Sequence, residues 1–231
     1  MIQGIDLPAP VEAVWLFGSF ARHTPKVHSD LDLLVLTDDG ATPPEPAFLA
    51  DVFHLPQLPE VSHYTRGGIV RISRPPSLFA WHLQLEGNPL FERTDWLRYE
   101  LQSLEPYTSH LDDLDVLRRL HQDVCRSIGK DQKSLVFDAG VLGIIGRNAA
   151  LLLTHFDGKP DFSAEAPLRA LDHPNVRLPI TENGYAMLYR SRMAMERGGS
   201  APVLSCNAIQ QLSYRFGMWL GCLRQYFSGR M

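Results

Sequence analysis

Two carboxylates set inside an otherwise apolar run constrain this chain more than any other feature. The run is Ser29-Asp30-Leu31-Asp32-Leu33-Leu34-Val35, and residues 31–36 read as a strand. Successive strand side chains point to opposite faces, so Asp30 and Asp32 share one face with a single residue between them. Carboxylates that close repel one another unless a cation lies between them, and left unpaired they are costly in a segment rich in Leu and Val. Magnesium, as one or two ions, is the natural occupant. It takes oxygen ligands and often shares them with substrate phosphates.

Upstream, Val14-Trp15-Leu16-Phe17 reads as a second strand that ends in Gly18-Ser19. A strand that turns at glycine into a helix presents free N–H groups and a positive dipole end, which suits phosphate oxygens. The Ser19 hydroxyl can donate to the same phosphates. Arg22, one turn on, either adds charge to a triphosphate or faces solvent. Singly, a Gly-Ser is usually a turn, and an Asp-x-Asp is usually solvated or caps a helix. Together they fit phosphoryl or nucleotidyl transfer, where metal clamping and positioning supply most of the catalysis.

Around this core the first hundred residues alternate in type. Residues 61–64 and 69–72 read as strands parted by Gly67-Gly68, while 48–53 and 78–85 read as helices, the second stopped by Gly87. From about Pro106 the pattern changes. Ser109 and Asp112 resemble a capping box, and Leu111, Leu114, Leu117, Leu120, Val124 and Ile128 recur every three or four residues until Gly129. Further helices are expected over 135–156, from Thr181 and from Ser205. Gly140, Gly143 and Gly146 recur at helical spacing with no Gly-Lys-Ser/Thr after them, so they read as a close-packing face rather than a P-loop. The expected fold class is α+β: a mixed sheet with flanking helices over residues 1–105, then a C-terminal helical bundle over 106–231.

Composition removes several alternatives. A net charge of −4 argues against a general electrostatic grip on DNA or RNA. Three widely spaced cysteines give neither a disulfide framework nor a zinc ribbon, and the nine histidines contain no HxxxH pair. Met1 to Pro10 lacks the features of a signal peptide, and the apolar stretch 139–153 reads as too short to span a bilayer. The expectation is a cytoplasmic protein without a membrane partner.

The run Phe17-Gly18-Ser19-Phe20-Ala21-Arg22 … Ser29-Asp30-Leu31-Asp32-Leu33-Leu34-Val35 resembles the DNA polymerase β-type nucleotidyltransferase superfamily. Ten residues separate Ser19 from Asp30, as in the signature. The run is especially similar to minimal nucleotidyltransferases and their aminoglycoside-modifying relatives. One departure is His23, where such proteins often carry glycine. A weaker likeness extends to about residue 93, where 77–91 resembles the helix and strand that close such domains. The resemblance implies a third carboxylate on the next core strand, acting as metal ligand or general base. Glu60 has the right place in the alternation, and Asp51 is its rival.

What the resemblance implies is a magnesium-dependent nucleotidyltransferase. Asp30, Asp32 and Glu60 would form the catalytic and metal site, and Gly18, Ser19 and Arg22 would bind the NTP, expected to be ATP. The adenylyl acceptor would be a hydroxyl on a protein, RNA or small molecule. Two alternatives stand beside this reading: an antitoxin whose main business is a partner toxin, and an antibiotic-modifying adenylyltransferase. Arg147 and His155 resemble the Arg…His pair of HEPN ribonucleases, but seven residues separate them where that pattern expects fewer. Arg190 and Arg192 read as structural, and Tyr185, Phe216 and Trp219 as bundle core.

Overall fold

A computed structural model describes residues 7–26, 29–128, 130, 134–198 and 200–230. The expected helix stop at Gly129 and part of the spacer before Asp30 lie outside the described residues. The chain divides into two compact units, Met1–Thr108 and Ser109–Met231.

The first unit is built on a four-stranded sheet of order β3-β2-β1-β4. β1 (Val11–Phe17) runs antiparallel to both β2 (Asp32–Thr37) and β4 (Asn88–Glu92), whereas β2 and β3 (Glu60–Thr65) are parallel. The two central strands read as continuous apolar runs because both of their faces are covered. Val11, Val14, Leu33 and Val35 pack with Leu49 of α2 (Pro46–Val52) and with Phe53. On the opposite face, Ala13, Trp15, Phe17, Leu34 and Leu36 pack against three helices. These are α3 (Arg66–Ser73), α4 (Leu78–Glu86) and α5 (Trp96–Gln102).

Residues 69–72, expected as a strand, belong to helix α3. Thr65 caps it, its hydroxyl accepting from the Gly68 amide at 3.4 Å, so Gly67-Gly68 opens a helix instead of joining two strands. Gly68 also lets the helix start close over the sheet, because a Cβ there would sit 3.2 Å from the Tyr64 ring. Four residues, Ile-Val-Arg-Ile, are too few for periodicity to separate helix from strand.

The second unit is helical, and α7 (Leu135–Phe156) is its axis. Around it lie α6 (His110–Ser127), α8 (Ala166–Leu171), α9 (Glu182–Arg197) and α10 (Cys206–Ser228). Thr181 and Ser205 cap α9 and α10 by accepting from the Gly184 and Ala208 amides, at 3.1 and 3.2 Å. Each such cap is worth about 1 kcal/mol. Ser109 makes no such bond, which corrects the capping-box expectation. Asp112 and Asp113 support the start of α6 through the helix dipole instead.

The glycines of α7 do what their spacing implied. A Cβ at Gly143 would meet the Leu188 carbonyl at 3.0 Å, and one at Gly146 the Phe216 ring at 2.8 Å, so α9 and α10 approach the bare backbone. The apolar stretch 139–153 lies inside α7, which at 22 residues is long and apolar enough to cross a membrane by length and composition alone. Of an 18-residue apolar window within it, 72% is buried, and it serves as a core helix.

Candidate active site

The site begins where β1 ends. Phe17 is the partner of Asp32 across the β1–β2 ladder, so the turn that follows Phe17 lies beside the first residue of β2. Gly18 has φ +73°, a left-handed conformation that costs other residues strain. A Cβ at Gly18 would also run into the Asp32 carboxylate. Glycine is therefore required twice, by its own backbone and by the approach of Asp32.

From Gly18 the chain enters α1 (Gly18–Ala21), a helix of a single turn. Its end is marked by Thr24 N–H donating to the Ser19 carbonyl at 2.9 Å and by His23 at φ +58°. The backbone thus takes at His23 the conformation for which related motifs carry glycine. Ser19 is half-buried, and its hydroxyl makes no hydrogen bond among the described residues.

Asp30 lies just before β2 rather than within it, and Leu31, between the aspartates, is buried in the α2-side core. The Glu60 amide donates to the Leu31 carbonyl at 2.8 Å, which ties this approach segment to β3. Glu60 is the direct partner of Asp32 in the parallel ladder. Neighbouring strands lie about 4.8 Å apart, so partnered residues share a face. Glu60 is exposed, whereas Asp30 and Asp32 are half-buried. Asp51, the rival carboxylate, lies in α2. Among the described residues no three His, Cys, Asp or Glu side chains gather as a ready-made metal site. The donor chemistry on hand, two aspartates beside a phosphate-suited turn, fits a magnesium ion that shares its shell with substrate phosphates and water.

Arg22, expected either to add charge to a triphosphate or to face solvent, engages a carboxylate of this chain. Its guanidinium is ion-paired with Glu86 at the end of α4, on the carboxylate oxygen that also meets His82 Nε2 at 2.9 Å. Burial pushes the Glu86 carboxyl up, but hydrogen bonds and charge from His82, and then from Arg22, outweigh it and hold the group below its ordinary value. Asn88 Nδ2 donates to the Ala21 carbonyl at 3.1 Å. The sequence reading placed His82, Glu86 and Asn88 in the closing helix and strand, with Glu86 as the acidic residue of an acidic-Gly-x-x-Leu-aromatic turn, and gave them no part in the site. The signal within reach was the His82/Glu86 pair, four residues apart on one helix face.

Other candidates fall away. A cavity of about 350 Å³ lined by Glu12, Thr37, Asp38, Asp39 and Arg66 lies at the far end of β2 from Asp32. In α7, Arg147 Nη2 donates to the Phe162 carbonyl at 3.1 Å, while His155 meets His110 at 3.2 Å. Eight residues along a helix place the two side chains more than two turns apart, about 12 Å along the axis. Arg190 donates to the Ala186 carbonyl and Arg192 pairs with Glu196, both within α9. Tyr185, Phe216 and Trp219 are buried in the bundle.

Comparison with known proteins agrees with the geometry. Residues 7–95 match the family described as Polymerase beta, Nucleotidyltransferase. No curated protein matches the chain by sequence. The structure is similar to that of spectinomycin adenyltransferase AAD(9) from Enterococcus faecialis, solved with ATP and spectinomycin. The TM-score is 0.50 at 13% identity, over 92% of each chain. A nucleotidyltransferase-like protein from Exiguobacterium sibiricum 255-15 aligns over 94% of this chain and 70% of its own, with 14% identity and a TM-score of 0.37. At these identities the first likeness speaks for the fold: a nucleotidyltransferase sheet followed by helices.

Proposed function

We propose that the protein transfers an adenylyl group from ATP to an acceptor hydroxyl in a magnesium-dependent reaction. The observation that carries this reading is the double register of Asp32, opposite Phe17 on one side and Glu60 on the other. It gathers a phosphate-suited turn, an aspartate and a further carboxylate at one end of the sheet.

In this reading Gly18 and Ser19 hold the triphosphate through backbone N–H groups and the free hydroxyl. Asp30 and Asp32 bind magnesium, and Glu60 completes the carboxylate set. When bound, magnesium neutralises charge on the phosphoryl oxygens and fixes their orientation. Glu60, exposed at the start of an edge strand, accepts the proton of the acceptor hydroxyl. The hydroxyl oxygen attacks the α-phosphorus, the bond to the α–β bridging oxygen breaks, and pyrophosphate leaves. Arg22 is assigned to the architecture of the turn, since its charge is engaged by Glu86. The setting assigned to this chemistry is the cytoplasm, where ATP and magnesium are abundant.

A second reading, an antitoxin-like protein that acts mainly by holding a partner, draws on Tyr214 and Met218. These side chains stand exposed one turn apart on α10. Incubation with ATP labelled at the α-phosphate, magnesium and cell lysate separates the two. Transfer of label to an acceptor, lost in Asp30→Ala, supports the enzyme. If the wild-type protein neither binds ATP nor labels any acceptor, the catalytic reading fails.

A further inference from the structure

A one-turn helix cannot hold its own position. Nucleation fixes several residues for one hydrogen bond, and short helices depend on tertiary contacts. α1 has four residues, and the first of them sits in a left-handed conformation. Its placement must come from outside the turn.

The outside contacts converge on one junction, from Glu86 at the end of α4 to Asn88 at the start of β4. The Asn88 amide takes the Ala21 carbonyl, the last of the helix. Glu86 takes the guanidinium of Arg22, the next residue, and is steadied by His82. The side chains of Arg22, Glu86 and His82 are only 22%, 15% and 13% exposed, so little solvent screens them. Among the described residues, Arg22 Nε is buried without a hydrogen-bond partner, and Glu86 is the carboxylate paired with this guanidinium. The His82 ring meets Phe17 edge-on, with centroids 5.6 Å apart, so the same cluster also touches the end of β1. The turn is thus clamped at both of its ends.

We propose that Glu86 is a positioning residue for the phosphate turn. Through Arg22, and together with Asn88, it holds the Gly18–Ser19 amides ready for the triphosphate. This rests on the reading of that turn given above. Glu86 touches no substrate. It acts by removing the ordering cost that binding would otherwise carry, which is how preorganised sites gain affinity.

The test is equilibrium binding of ATP with magnesium to the wild type, Glu86→Gln and Asn88→Ala, each competed with inorganic tripolyphosphate. Both the dissociation constant and the number of sites are measured. Glu86→Gln is expected to weaken ATP binding about tenfold, the scale of a lost hydrogen bond to a charged group. Tripolyphosphate should weaken in the same ratio, because the loss lies at the phosphates. Asn88→Ala should weaken both by about threefold, the scale of a neutral hydrogen bond. A merely structural role would lower the number of binding sites and leave the dissociation constant of the remainder unchanged. That outcome, or unchanged constants in both variants while the wild type binds ATP, overturns the positioning role alone. If Glu86→Gln does not fold, Asn88→Ala decides by the same two quantities. Absence of ATP binding by the wild type overturns the reading of the turn, and the positioning role with it.

Discussion

Asp32 and Glu60 face each other as direct partners across a parallel ladder, although 27 positions lie between them in the chain. The partnership joins a half-buried carboxylate at the start of an interior strand to an exposed one at the start of an edge strand. In the proposed reaction these different surroundings go with different tasks, the inner carboxylate binding a cation and the outer one meeting an acceptor.

Glu60→Gln keeps size and hydrogen bonding but removes the base of the proposed reaction. The turnover of adenylyl transfer is expected to fall by about 10²- to 10⁴-fold, the usual worth of a positioned general base. The KM for ATP should change little, because in the proposed reading the triphosphate is held at the turn. Steady-state kinetics with labelled ATP would check this, and near-wild-type turnover would exclude Glu60 as the base.

Gly18→Ala meets two obstacles, the left-handed backbone and the Asp32 carboxylate. The backbone alone costs about 1–2 kcal/mol, and relief of the clash displaces Asp32. Urea denaturation should show a loss of at least about that size. Isothermal titration should show ATP binding lost along with it. A variant as stable as the wild type would mean that the turn adopts another conformation.

His23→Gly should do the reverse. His23 holds φ +58°, which glycine adopts without strain. Relief of strain, offset in part by the extra entropy of glycine in the unfolded chain, should stabilise the protein by about 0.5 kcal/mol. A lower urea midpoint in the variant would show that the His23 side chain contributes more than its backbone costs.

His110 gives the second unit a dependence on pH. Burial first, and the neighbouring His155 second, lower its pKa to about 4 from an ordinary 6.5. Between those values the unfolded chain binds a proton that the folded chain refuses, so stability falls as pH drops from about 6.5 to about 4. The full effect is at most about 3 kcal/mol. His155, also lowered by burial, adds in the same direction. His110→Phe, in a site already lined by Phe156 and Phe227, should flatten that slope in urea titrations across this range. An unchanged slope would place the acid sensitivity elsewhere.

The elements legible from sequence were those whose signal is local and repeated. β1 and β2 announce themselves as apolar runs, and the charge inside the second betrays a site because burial of a carboxylate needs a reason. The glycine stripe of α7 and the caps of α9 and α10 were equally local. α3 was misread because four residues hold about one helical turn. Arg22 was open for another reason. Its partner, Glu86, lies 64 positions away, and nothing beside Arg22 tells which distant carboxylate the fold will bring to it. α5 and α8, short and without a strong start signal, went unread.

α7 has the length and composition of a membrane-crossing helix, yet most of it is covered by the helices packed around it. The shielding is shared among α6, α8, α9 and α10. A chain cut short before α10 would leave Phe216 absent from Gly146 and a strip of bare apolar backbone facing water. Such a fragment would be a client for chaperones, proteases or lipid, even though the first unit, Met1–Thr108, is whole.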